Sequence, residues 1–140
     1  MTFDLLIRNG IFVTMEPACE PFIGWMGVRD GRIAALAAGD APNAEAGETV
    51  DADGRIVMPG LVNGHCHGDM TLARGLGDDL TLLEQIQRFS DTNWFYSLIS
   101  DDDRFYSRQL TYAEALLSGT TFLCENMYWS LGARSVAAMA

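Results

Sequence analysis

Pro59-Gly60 divides this sequence into two stretches of different hydrophobic period. Before it, short β-type runs are punctuated by Asn9-Gly10, Asp30-Gly31 and Asp53-Gly54. These dipeptides reach the positive φ angles that two-residue hairpin turns require. The pattern predicts three hairpins. Asp4 to Arg8 folds back on Ile11 to Thr14, Trp25 to Arg29 on Arg32 to Leu36, and Thr49 to Ala52 on Arg55 to Met58. Together they predict a small antiparallel unit. Ala37 to Glu48, rich in Ala, Gly, Asp, Asn and Pro, reads as a loop.

After Pro59-Gly60 the period changes. Leu61 to His65 reads as one short buried strand. Thr81 with Glu84 three residues on forms a capping box, and Leu82, Leu83, Ile86 and Phe89 then share a helical face. A second helix is expected from Ser100, with Asp101, Asp102 and Asp103 in the first turn, where the helix dipole favours acids. Tyr106, Leu110, Ala113 and Leu117 line one side of it, and Ser118-Gly119 stops it. Thr120 to Cys124 is a second buried strand, and Arg134 to Ala140 opens another helix. Strand, helices, strand, helix is a parallel α/β rhythm. Two parallel strands do not make a stable sheet, so a truncated piece of a larger fold is expected. Its parts are 1–58 and 59–140. Its helices would leave apolar faces uncovered, which predicts poor solubility of the piece alone.

Charge narrows the function. Nineteen Asp and Glu stand against nine Arg and no Lys, for a net charge of −10. That argues against nucleic-acid binding, which needs a basic surface to meet phosphates. No apolar run approaches the ~18 residues of a membrane span. The opening MTFDLLIRNG lacks a charged segment leading into an apolar one, so no export signal is expected. The three cysteines, Cys19, Cys66 and Cys124, are odd in number and far apart, which fits a reducing cytoplasm.

His65 and His67 are the only histidines. On a strand, alternate side chains share a face, so both imidazoles can converge while Cys66 points the other way. Neutral imidazole is a good ligand for Zn²⁺ or Fe²⁺. Two unrelated histidines would fit a bare His-x-His equally well.

The flanking residues add to this. Val57-Met-Pro-Gly-Leu-Val-Asn-Gly-His-Cys-His67 resembles the first-strand signature of the amidohydrolase superfamily. The likeness continues through Met70-Thr71-Leu72, Arg74-Gly75-Leu76 and Asp78-Asp79-Leu80. It resumes at Glu114, Leu117-Ser-Gly-Thr-Thr-Phe122 and Met127-Tyr128. This extension is similar to the branch holding cytosine deaminases, triazine chlorohydrolases and methylthioadenosine/S-adenosylhomocysteine deaminases. The resemblance implies an α/β fold: a (β/α)₈ TIM barrel preceded by strands of a small β-sandwich. It implies one divalent metal, Zn²⁺ or Fe²⁺, on His65 and His67, with further ligands from later strands. Metal-activated water would attack a ring carbon bearing an amino group or halide. Such a barrel needs ~250 residues, so activity would belong to a longer protein, and no catalytic residue beyond the two ligands is expected within this chain.

Other residues carry weaker signals. Arg74 sits in a loop after the first strand, where it would contact substrate or pair with Asp78 or Asp79. Trp94, like Tyr96, could stack on a flat heterocycle or pack in a core. The family's nucleoside deaminases place a Glu near here, after a Pro; Asp91-Thr-Asn-Trp-Phe-Tyr96 has neither, which speaks against a nucleoside substrate. Glu125 or Asn126 would support the site or make a structural hydrogen bond. Asp69 reads as a loop residue, and Cys66 as a small buried apolar one.

The expected function is hydrolysis of a non-peptide C–N bond in a cyclic amidine, by deamination of a purine, pyrimidine, pterin or triazine. Ring-opening amide hydrolysis and dechlorination are alternatives within the superfamily, and a truncated non-catalytic product is the alternative outside it. The expected partner is a small heterocyclic substrate, with no nucleic acid and no membrane. Homo-oligomerisation of a full-length protein stays open.

Overall fold

A computed structural model describes residues 2–87 and 99–126 of the chain. It divides into two units, Met1–Pro59 and Gly60–Ala140.

The first unit is a five-stranded sheet of β1 (Thr2–Phe12), β2 (Phe22–Arg29), β3 (Arg32–Ala38), β4 (Glu45–Asp51) and β5 (Ile56–Val57). Its order is β3-β2-β1-β4, with β5 also on β1. Asp30-Gly31 behaves as the sequence predicts. It takes φ 52° and 67° and joins β2 to β3 as an antiparallel hairpin.

The other two dipeptides do not make hairpins. β1 runs straight through Asn9-Gly10, where Asn9 takes φ 56° and the register against β2 shifts, forming a bulge. The cause lies on the opposite edge of β1. There β4 pairs in parallel with Thr2–Arg8 and β5 with Ile11–Phe12. Asp53-Gly54 steps between those two segments. Gly54 N donates to Asn9 O at 2.8 Å, and Asn9 Nδ2 donates to both Asp51 carboxylate oxygens at 3.0 and 2.9 Å. Two dipeptides with turn chemistry are thus matched irregularities in neighbouring strands, and the sheet is mixed rather than antiparallel. β3 and β4 also take up both ends of the expected loop. Phe3, Leu6, Phe12 and Ala52 form the buried interior. Phe12 stacks on Phe22 with centroids 5.7 Å apart, and Phe3 tilts against Trp25 at 6.1 Å.

The second unit contains β6 (Leu61–Cys66), a 3₁₀ helix (Gly68–Ala73), α1 (Leu82–Ile86), α2 (Asp101–Leu117) and β7 (Thr120–Glu125). β6 and β7 pair in parallel, as the α/β rhythm requires. The capping box expected at Thr81 forms, and Ser100 makes a second one. The Thr81 hydroxyl accepts from Glu84 N while the Glu84 carboxylate accepts from Thr81 N, and Ser100 and Asp103 do the same. Those donors hold the Glu84 and Asp103 carboxyls below the usual range, the capping hydroxyl being the larger cause and the backbone amide the next. Gly119, at φ 83°, ends α2.

Burial departs from expectation. β6 and β7 are strands but largely exposed ones, with Val62 at 69% and Phe122 at 60%. The stripe of Tyr106, Leu110 and Leu117 on α2 faces outward. Ser107 and Arg108 are the buried pair, because α2 packs on the 3₁₀ helix and β7 through its polar side. α1 buries none of its residues. Among the described residues, no helix is long and apolar enough to cross a membrane.

Candidate metal centre

The end of β6 places the two histidines. Extended backbone turns both rings to the same side, with His65 Nε2 3.0 Å from His67 Nε2. The ring centroids are 4.8 Å apart and the planes cross at 67°. His65 is exposed and His67 half-buried. Asn63 Oδ1 accepts from His65 N at 3.1 Å. Between them Cys66 lies among acids. Burial, then the Glu125 and Asp69 carboxylates, push its thiol up.

Two neutral imidazoles cannot direct two lone pairs at each other across 3.0 Å unless a proton or a cation lies between them. Nitrogens each ~2.0–2.1 Å from one ion at the tetrahedral angle lie roughly 3.3 Å apart, so small ring movements would admit an ion. The donor set therefore fits a divalent ion that accepts imidazole. It supplies two ligands where catalytic sites keep ~3. Among the described residues, no group of three or more His, Cys, Asp or Glu side chains is placed to hold one. His67 Nδ1 is buried and has no hydrogen-bond partner among the described residues.

Beside the histidines is a polar cluster that the sequence reading missed. Asp69 is 2% exposed in the 3₁₀ helix, not in a loop. Its Oδ2 lies 3.3 Å from Arg108 Nη2, and Arg108 Nε lies 3.6 Å from Glu125 Oε1. Glu125 Oε1 also accepts from Gly68 N at 2.9 Å. Tyr112 Oη donates to Glu125 Oε2 at 3.4 Å, and burial, with that carboxylate next in weight, pushes the phenol up to about 12. Glu125 thus makes hydrogen bonds within the fold. The available signal was Ser107, Arg108 and Thr111 on one helical stripe, opposite the apolar one.

Arg74 is placed differently from either expectation of its ion pair. Its guanidinium grips Glu114 on α2 at 2.6 and 3.2 Å, not Asp78 or Asp79. The Arg74 hydrogen bonds hold the Glu114 carboxyl below its usual range. Arg74 also borders a cavity of about 210 Å³ with Met70 and Gln85. Met70 packs on Ala73, while Leu72 is 46% exposed. Trp94, Tyr96, Phe89, Met127, Tyr128 and the helix expected from Arg134 lie outside the described residues.

A mixed sheet followed by a parallel βαβ unit, with paired histidines at the first strand's end, points to a class of fold. No family model matches the chain. A solved adenosine deaminase from Xanthomonas campestris with bound zinc superposes with a TM-score of 0.81 at 30% identity, covering 98% of this chain and 31% of that one. The fold is therefore that of a stretch of an amidohydrolase (β/α)₈ barrel with its accompanying sheet.

Sequence relatives narrow this further. The chain is 37% identical over 125 residues to the 5-methylthioadenosine/S-adenosylhomocysteine deaminase of Syntrophobacter fumaroxidans, covering 87% of this chain. It is 33% identical over 128 residues to the 5′-deoxyadenosine deaminase of Methanosarcina acetivorans, covering 90%. It spans about 28% of the length of each. The chain is thus related to deaminases of the amidohydrolase superfamily, in the branch that its motifs resemble.

Proposed function

We propose that this chain contributes to a hydrolase that deaminates a nitrogen heterocycle, with His65 and His67 holding one Zn²⁺. The observation that carries the reading is the 3.0 Å approach of the two Nε2 atoms at a strand end. Relatives named as deaminases and the zinc in a structural neighbour support it. A divalent ion held there supplies Lewis-acid activation of water near neutral pH. The chain's own part is to present two converging imidazoles from a rigid strand, one of them open to solvent. The ring acted on is a small heterocycle bearing an exocyclic amino group, such as a purine. Arg74 is held toward Glu114 and so is a rim residue, and Trp94 is proposed as a stacking surface for the ring.

The test is metal analysis and ammonia release by the product of the native gene, across a panel of aminated heterocycles. We expect about one equivalent of zinc per chain, and His65→Ala is expected to lose both metal and turnover. Unchanged zinc content in His65→Ala would end the ligand assignment.

A further inference from the structure

We propose that Glu125, with Ser107 and Thr111, forms a positioning clamp on the backbone around His67, and that this clamp sets the zinc affinity of the paired histidines. The inference rests on His65 and His67 being ligands. Four backbone polar atoms around His67 are held. Cys66 O accepts from Asn126 N at 2.6 Å, and His67 O from Met70 N at 3.0 Å. Gly68 N donates to Glu125 Oε1 at 2.9 Å. Gly68 O accepts from Ser107 Oγ at 3.1 Å and Thr111 Oγ1 at 3.0 Å. Both polar atoms of Gly68, the residue after His67, are therefore bound by side chains distant in sequence.

The fit is close, and a side chain at position 68 would press on the clamp itself. A Cβ at position 68 would lie 2.9 Å from Glu125 Oε2 and 3.3 Å from Arg108 Cγ. Glu125 is in turn fixed by Tyr112 and by Arg108, whose side chain is 2% exposed and anchored on the equally buried Asp69. Replacing a buried charge cluster with apolar residues is often neutral or stabilising, so stability alone does not account for it. A cluster that locks one backbone geometry beside a ligand does. Metal affinity depends on such supporting contacts, and their loss typically weakens binding ~10–100-fold.

The experiment measures zinc Kd by chelator competition, and the Co²⁺ absorption bands, on the native-gene protein and its variants. Glu125→Ala is expected to raise the zinc Kd by roughly tenfold or more and to alter the Co²⁺ bands. Glu125→Gln keeps an acceptor for Gly68 N and is expected to restore most of the affinity. Ser100→Ala weakens α2 at its far end and serves as the control for lost stability. Thr111→Val gives a second reading, expected in the same direction, that decides the matter if Glu125→Ala does not fold. An unchanged Kd in the folded clamp variants, or an equal rise in Ser100→Ala, overturns the clamp. If His65→Ala loses zinc while the clamp variants keep it, the clamp alone falls. If His65→Ala keeps zinc, the site itself falls.

Discussion

The interiors of the two units are built from opposite materials. The sheet of the first unit closes over Phe3, Leu6, Phe12 and Ala52, an apolar interior with no buried charge among the described residues. Among its described residues, the second unit buries Asp69, Ser107 and Arg108 with one small hydrophobic side chain, Ala73, while Leu82, Leu83, Leu116, Leu117 and Phe122 face outward. Apolar burial is non-directional and tolerates adjustment. A buried ion pair tolerates none, because removing one partner strands the other in a medium that cannot solvate it. The unit that carries the paired histidines is thus the one whose interior specifies geometry.

The contrast can be broken most sharply at Arg108. Arg108→Met is expected to destabilise the second unit by about 3–5 kcal/mol, since it strands two carboxylates. Urea denaturation followed by circular dichroism would read it. Replacing Asp69 and Glu125 with Leu and Met as well should recover most of that loss. If it does not, the ion cluster itself stabilises the fold and the contrast fails.

A smaller effect is expected in the first unit. Leu6→Ala removes a side chain that is 4% exposed. The expected loss is about 2–3 kcal/mol, at the low end for a core Leu→Ala because a single sheet can settle around the gap. A loss as large as that of Arg108→Met would show the apolar interior to be the less forgiving of the two.

The smallest effect tests the helix end. Ser100→Ala removes the cap of α2 and should reduce stability by about 1 kcal/mol. It also removes a pH dependence. Asp103 is held below its ordinary value of 3.8 by the Ser100 hydroxyl and then the backbone amide. A depressed folded-state pKa contributes stability that is present above pH 3.8 and lost as pH falls through the lower folded value. The parent chain should therefore lose stability in that acid window more steeply than Ser100→Ala. Parallel acid-denaturation curves for the two would remove the capping box from the account.

Much of this was legible in local signals. Thr81 with Glu84 announced its capping box, because the partners lie within one turn, and Ser100 before three aspartates announced the start of α2, though not the second box that Ser100 makes with Asp103. Asp30-Gly31 announced its hairpin for the same reason. The alternation His65-Cys66-His67 announced converging rings, since strand geometry has a period of two. Asn9-Gly10 and Asp53-Gly54 misled, because positive φ serves a bulge as readily as a turn. Which one forms depended on β4 and β5 arriving along the far edge of β1. Asp69 misled as well, because its partner Arg108 is far away in sequence.

By itself the sequence determined the helix starts at Thr81 and Ser100, the stop at Ser118-Gly119, the strand-helix-strand order and the two imidazoles on one face. Each follows from backbone preferences or periodicity over a few residues. Tertiary structure alone decided that the first sheet is mixed, that α2 turns its polar side inward, and that Arg108 and Glu125 meet beside Gly68. Those outcomes depend on which distant groups compete for the same backbone edge or the same buried charge.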